Sequence, residues 1–443
     1  MSRLDGEVAG VASRALALSV LVGVEGGGRS DRLLDAALRA SQLESRDRRL
    51  ATEIVYGSLR RQGTLDRTIA RFCDQPFSRL EPVVRCTLRL AAYQCAYLTS
   101  VPSHAAVFAS VEAVKRRRPQ AAGIVNGVMR SWLRAGALLD EGDGSLAARL
   151  DVPPWLAQRW LARYGEAATE AWWQAALDPA PRALRVHPRV LSTDTALTML
   201  GDAGIEAEKS PIIDHCVRVG AGSIAACDAV HQGLMTPRSE ASQVVAGLLP
   251  PGHGWTIDAC AGRGGKSVQL AEAGARRVLA LDVDAAQLAA AGTAAASAAV
   301  PEVRTVCADL TSAVPVRGQL DRILVDAPCS GLGTVRRHPE IKWRLAANRL
   351  AGMARRQRRL LSRALAALAP GGLLLYVTCS TEPEENEAVI EAVLRSRPGI
   401  RPEALEVDSL AEAIGVDGYF RTYPLQPDLD GFFAVLLRRS IDA

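Results

Sequence analysis

Residues 255–267 read W-T-I-D-A-C-A-G-R-G-G-K-S: a short apolar run, an aspartate, a glycine-rich turn and the polar start of a helix. Glycines in such a turn let the backbone approach a ligand that a Cβ would hold off. Two familiar sites fail here by one residue each. A phosphate loop, G-x-x-x-x-G-K-[ST], fits Gly265-Lys266-Ser267 but puts its first glycine on Cys260. A dinucleotide turn, G-x-G-x-x-G, fits Gly262 and Gly264 but puts its third glycine on Ser267. What remains is a site for a nucleoside cofactor without a phosphate cradle, held by the loop Cys260, Ala261, Gly262, Arg263, Gly264, Gly265 and Lys266.

From Leu249-Pro250-Pro251-Gly252 onward, short apolar runs alternate with helices of about 12 residues, the pattern of an open parallel sheet. Strands are predicted at Trp255–Ala259, Val278–Leu281, Val303–Val306, Arg322–Val325 and Leu373–Val377. Ligands of such sheets bind beyond the carboxyl ends of the strands. The second strand runs into Asp282, about 20 residues past the glycines, where a carboxylate takes a ribose hydroxyl pair. The third leads to Asp309, placed to accept from an adenine amino group. Turn glycines and helix-capping aspartates would leave the same letters, so these residues alone are only moderately specific.

The last two strands carry the chemistry. One ends in Asp326-Ala327-Pro328-Cys329-Ser330-Gly331 and the other in Thr378-Cys379-Ser380. Thiols that merely fill a sheet lie within its strands; these two lie just past them, beside Pro, Ser and Gly. Carbon 5 of cytosine is too weak a nucleophile to take a methyl group directly. A thiolate added at carbon 6 makes carbon 5 enamine-like, an acid at N3 stabilises the developing charge, and a second group removes the carbon 5 proton. Cys379, Asp326 and Cys329 supply that set, although the residues by themselves do not say which cysteine attacks.

The N-terminal part is of another kind. Residues 1–135 carry 21 Lys+Arg against 12 Asp+Glu, a net +9, while the rest of the chain sums to −4. Apolar spacing of three and four predicts an all-α fold from Asp31 to about Arg134. Its basic clusters, Arg46, Arg48 and Arg49, then Arg60 and Arg61, then Lys115, Arg116, Arg117 and Arg118, suit phosphate contacts that position a nucleic acid. Standing alone they would read as a solvated helical surface. A polar turn at Glu141–Gly144 marks a boundary. Beyond it come helices bearing Trp155, Trp160, Trp172 and Trp173, taken as packing residues, then β-like runs at Ala183–Val186 and Cys216–Val219 flanking a helix near Thr193–Ala203. The domains are therefore set at 1–140 (all-helical), 141–235 (small α/β) and 236–443 (Rossmann-like α/β).

Nine cysteines without C-x-x-C spacing, and only six histidines, argue against a disulfide framework and against a metal site. No run approaches the roughly 20 apolar residues of a membrane span, so a cytoplasmic protein without membrane contact is expected. No motif requires more than a monomer.

Residues 326–343, D-A-P-C-S-G-L-G-T-V-R-R-H-P-E-I-K-W, closely resemble the RNA 5-methylcytosine methyltransferases of the NOL1/NOP2/Sun family, as do 376–386, Y-V-T-C-S-T-E-P-E-E-N, and Asp430-Gly431-Phe432-Phe433. The resemblance spans nearly the whole chain and is strongest to the bacterial members acting on 16S ribosomal RNA. It implies a NusB-like helical RNA-binding domain ahead of the catalytic one, and S-adenosyl-L-methionine as cofactor. It further implies that Cys379 attacks, that Cys329 assists release, and that Cys260–Lys266, Asp282, Asp309 and Asp326 surround the cofactor. Arg336, Arg337 and Lys342 are then expected to hold RNA backbone near a flipped base; a catalytic role for His338 has no support. Two departures bear on the cofactor: Gly262-Arg263 where the family has Ala-Pro, and Arg238-Ser239 where it has Gln-Asp. They leave a rival reading, an RNA-binding assembly or antitermination factor with a degenerate methyltransferase domain.

Overall fold

The structure is a computed structural model and describes residues 3–312, 320–424, 426 and 428–441. The chain forms two compact units, Met1–Pro179 with Val335–Arg344, and Ala180–Thr334 with Leu345–Ala443.

The first unit is helical. Its N-terminal helices run Arg3–Glu25, Ser30–Arg39, Ser45–Arg60, Gln62–Ala70, Pro82–Tyr97, Ser103–Lys115 and Ala121–Arg134. Pro82 occupies the first turn of its helix, where no amide donor is needed, and that helix is buried almost all round as the centre of the bundle. Further on, Gly165 at φ 74° breaks the helical run Pro154–Ala175, a conformation that favours glycine. The chain turns back there, stacking Trp160 on Trp172 at 5.5 Å and setting it edge-on to Trp173 at 5.6 Å. These tryptophans pack the interior, as expected.

The second unit holds two sheets. The small one comprises β1 (Arg182–Val186), β2 (Ala207–Lys209), β3 (Cys216–Val219) and β4 (Met235–Pro237), antiparallel in the order β2-β3-β1-β4. The large one comprises β5 (Thr256–Asp258), β6 (Val278–Asp282), β7 (Val303–Cys307), β8 (Leu320–Asp326), β9 (Leu368–Thr378), β10 (Ile400–Glu403), β11 (Phe420–Arg421) and β12 (Phe433–Arg439). Their order is β10-β12-β9-β8-β5-β6-β7, with β11 on β12. All five strands expected from the sequence are present and parallel, from β9 to β7.

The wholly parallel sheet needs correction at one edge. β12 pairs antiparallel with β9, Phe433 opposite Thr378, and β10 pairs antiparallel with β12. A strand returning antiparallel needs no crossover helix, so the alternating strand–helix rhythm gives it no signal. Its placement brings Asp430-Gly431 to the working end of β9.

One buried ionic group ties the small sheet to the large one. Glu272, its side chain 1% exposed at the end of helix Gly265–Glu272, meets Arg185 of β1 at 2.6 Å and His187 at 2.6 Å. Burial opposes its ionisation, but the His187 hydrogen bond and the Arg185 charge outweigh burial and hold the carboxyl below its ordinary 4.5. A depressed carboxyl contributes stability that is complete above the ordinary value and is lost as pH falls through the lower folded one. Glu272→Ala strands a buried guanidinium and should cost about 3–5 kcal/mol in urea unfolding at neutral pH. The deficit should shrink below the ordinary carboxyl value, and an equal deficit at both pH values would remove ionised Glu272 from this account.

Candidate active site

Adjacent parallel strands β8 and β9 place Asp326 opposite Val377, and Ala327 N–H donates to the Val377 carbonyl at 2.8 Å, so the ladder continues just past the strand ends. This register carries Cys329 and Cys379 to a Sγ–Sγ distance of 3.2 Å. The hydrogen bond with Cys379 first, and burial second, push the Cys329 thiol well above the ordinary thiol range. Cys329 therefore holds its proton at neutral pH, within hydrogen-bond reach of the Cys379 sulfur.

The loops bearing the cysteines are held by a carboxylate that the sequence reading did not single out. Glu385 is fully buried. Its Oε1 accepts from Ser330 N–H at 2.8 Å and from Gln357 Nε2 at 3.0 Å, and its Oε2 accepts from Ser380 Oγ at 2.5 Å. The serine after each cysteine is therefore tied to one side chain. Asn386 donates to the Ser380 carbonyl at 2.9 Å, and Gln357 to the Pro328 carbonyl at 2.9 Å. Gly333 N–H donates to the Cys379 carbonyl at 2.9 Å while its own carbonyl accepts from Gly431 N–H at 2.7 Å. A Cβ on Gly333 would collide with the Gly431 carbonyl, so this close approach requires glycine. The repeated Cys-Ser dipeptide, with Glu385 in the stretch following the second, was the available signal.

The glycine loop sits at the ends of β5 and β6. Gly262 (φ 53°) donates its N–H to Asp282 Oδ2 at 2.8 Å, and Asp284 N–H donates to Oδ1 at 3.0 Å. Gly264, at φ 77°, lies so close to Ala291 that a Cβ there would clash. Lys266 Nζ donates to Asp326 Oδ2 at 2.5 Å. Asp258 is buried, with Oδ2 accepting from Ser267 Oγ at 2.6 Å and Oδ1 without a partner, and burial pushes its carboxyl up to about 6. Burial first, then the Asp326, Asp258 and Asp282 charges, raise the Cys260 thiol, which makes it a protonated lining group. Cys260, Asp258, Asp282, Asp326 and Lys266 thus share one site. Asp309 is exposed, and its carboxylate accepts from Thr311 N–H at 2.8 Å and Thr311 Oγ1 at 2.7 Å.

The departures now have places. Arg263 is exposed. Arg238 braces the loop, donating to the Gly265 carbonyl at 2.6 Å and the Ser242 carbonyl at 2.9 Å, and burial pulls its guanidinium down to about 10. Ser239 caps helix Glu240–Gly247. Carboxylates at Asp282 and Asp326 form an acceptor rim suited to ribose hydroxyls and to a cationic cofactor.

Of the basic residues expected at RNA, two are corrected. Lys342 is 1% exposed, its Nζ donates to the Arg60 carbonyl at 3.1 Å, and burial pulls its amine down to about 8. Arg60 is itself buried. In sequence both look like surface charges, but the segment Val335–Arg344 packs within the helical unit, where Glu340 accepts from Ser30 N–H at 3.0 Å and from Ser30 Oγ at 2.8 Å. Arg336 and Arg337 are half-buried there. Arg48 donates to the Leu38 carbonyl at 2.7 Å, Arg61 lies over Tyr97, Lys115 reaches Glu112 at 3.4 Å, and Arg118 pairs with Glu81 at 2.8 Å. Arg49, Arg116 and Arg117 are exposed. Among the described residues no group of three His, Cys, Asp or Glu could hold a metal ion, and no helix is long and apolar enough to cross a membrane.

A parallel sheet with a glycine loop after its first strand and a carboxylate after its second defines an α/β fold of the class that holds a nucleoside cofactor at its strand ends. Profile comparisons assign residues 245–438 to the 16S rRNA methyltransferase RsmB/F family, 11–134 to the NusB family, and 152–223 to the RsmF/B-like ferredoxin-like domain. Ribosomal RNA small subunit methyltransferase B of Thermus thermophilus is 36% identical, over 96% of this chain and 97% of its own. The probable ribosomal RNA small subunit methyltransferase B of Bacillus subtilis is 32% identical, over 96% and 98%. The solved structure of PH0851 has the same fold, with a TM-score of 0.84 at 23% identity over 96% of this chain and 99% of that one. NSun6 from Pyrococcus horikoshii, solved with SFG, shares the fold over 65% of this chain and 98% of its own at 19% identity, TM-score 0.59. The chain belongs to the ribosomal RNA small subunit methyltransferase B family, and its cofactor is S-adenosylmethionine.

The Glu385 brace makes a specific prediction. An amide at this position offers one acceptor where the carboxylate has two oxygens in use, so the two cysteine loops lose their common tie. Glu385→Gln should lower kcat by roughly 10–100-fold, the scale of a small misplacement of reacting groups, while cofactor affinity measured by calorimetry stays unchanged. A variant with wild-type kcat would show that the loops hold without it.

Proposed function

We propose that this chain transfers a methyl group to carbon 5 of a cytosine in 16S ribosomal RNA, through a covalent bond between Cys379 and carbon 6. The thiol pair at 3.2 Å carries this reading. S-adenosylmethionine, when bound, supplies the methyl group. Residues 1–140 serve as the RNA-docking domain, 141–235 as the connector and 236–443 as the catalytic domain.

The Cys379 thiolate adds to carbon 6, and the electron pair of the 5,6 double bond becomes available at carbon 5. Asp326, held by Lys266, supplies the carboxyl group for N3. Once Cys379 is a thioether its negative charge is gone, and with it part of what keeps the proton on Cys329. Cys329 then releases its proton to solvent and, as thiolate, takes the carbon 5 proton. The bond from Cys379 to carbon 6 breaks, the double bond re-forms, and Cys379 leaves as thiolate.

Two measurements test this. Undermodified 16S RNA incubated with labelled S-adenosylmethionine should acquire label at carbon 5 of cytosine; none under saturating cofactor would sink the proposal, and absence of cofactor binding by calorimetry would favour a degenerate site. Cys379→Ala should abolish transfer, whereas Cys329→Ala should accumulate a denaturation-resistant adduct between protein and RNA. The opposite pattern would exchange the two roles.

A further inference from the structure

Helix Ala347–Ala367 carries Gln357 on its buried face, where the amide joins the Glu385 brace. Its other face is of a kind seen nowhere else among the described residues. In 21 residues it holds six arginines, at 349, 355, 356, 358, 359 and 363, and no carboxylate. Arg355, Arg359 and Arg363 recur every fourth residue, one guanidinium per ~6 Å of helix axis, and all three are exposed. Like charges at this spacing repel and destabilise a helix. Elsewhere exposed helical arginines can have a carboxylate one turn away, as Arg39 has Asp35 at 2.8 Å and Arg395 has Glu391 at 3.7 Å; this face has none.

The stripe also forms a concave wall. Arg355, Arg358, Arg359 and Arg363 line a cavity of ≈ 550 Å³ with Thr311 and Arg397, and Arg397 is fixed there by its bond to the Ser362 carbonyl at 3.0 Å. At the cofactor side of the helix, the Arg356 charge acts on Asp309 and on Cys260. A concentration of positive charge that costs the free protein stability, on the helix that also braces the cysteine loops, calls for a polyanion that comes with the substrate.

We infer that the Arg355, Arg359 and Arg363 face is a docking track for the phosphodiester backbone of the RNA strand next to the target cytosine. This rests on the proposed RNA methylation and adds a surface to it: the strand is held along this helix as well as by the basic helical domain. The contacts are to phosphate, so they set position and affinity without reading sequence.

The test is the triple variant R355Q/R359Q/R363Q in the full chain, assayed for binding to a 16S RNA fragment across salt concentrations. Three lost phosphate contacts should reduce the slope of log affinity against log salt by about 2. KM for RNA should rise at least about tenfold, with kcat and cofactor affinity unchanged. Because a repulsive row has been removed, the free variant should melt no lower than the parent. R355K/R359K/R363K, which keeps the charges, should retain the salt slope. An unchanged slope and KM in the folded glutamine variant would overturn the track, as would happen if the arginines served an acidic protein instead. A lowered slope in a chain that leaves cytosine carbon 5 unlabelled would uphold the track and overturn the reaction.

Discussion

Two thiols at 3.2 Å need a scaffold that holds both loops, since each loop follows a different strand and neither is fixed by its own ladder. The Glu385 carboxylate meets that need by accepting from the residue after each cysteine. A buried carboxylate is costly to desolvate unless its oxygens are filled, and here three donors fill them. Around it the chain supplies further ties: Gln357 from the helix before β9, Asn386 from the turn after it, and Gly333 pressed against Gly431 from the C-terminal strand. The antiparallel β12 has its use in this, for it delivers Gly431 to the place where a side chain on Gly333 could not stand.

Electrostatics divides the rest of the molecule. Near the cofactor loop, carboxylates dominate: burial first, and then the charges of Asp326, Asp258 and Asp282, keep the Cys260 thiol protonated. Arg238 brings a positive charge to this group, acting on Asp258 while its nitrogens donate to backbone carbonyls of the loop and the following helix. Away from the loop, arginines gather on helix Ala347–Ala367. In the helical unit, by contrast, several cations have internal partners: Arg89 pairs with Asp66, Arg85 with Glu25, and Lys342 donates to the Arg60 carbonyl.

The five parallel strands, the glycine loop, the two cysteines and the helical first domain were legible in the sequence because each rests on a local pattern: apolar runs of strand length, glycines in a turn, apolar spacing of three and four. The resemblance of residues 326–343 and 376–386 to a known family added the order of the cysteines, which local pattern leaves open. What local pattern could not reach were relations between distant residues. β12 lacks the strand–helix rhythm, Glu385 is one acid among several in an acidic stretch, and Lys342 looks in sequence like any cation beside an aromatic residue.

The sequence by itself determined which residue types stand at the ends of β5, β6, β8 and β9, since strand periodicity and glycine position are properties of neighbouring residues. Only the tertiary structure decided which of them meet. Cys329 and Cys379 lie 50 residues apart and share a proton because two strands are adjacent and in register. Asp309 matches the expected pattern as well as Asp282 does, yet its carboxylate turns to Thr311 in its own turn, while that of Asp282 receives the Gly262 amide. Burial, register and the filling of hydrogen-bond donors are set by packing across the whole chain, and no window of sequence contains them.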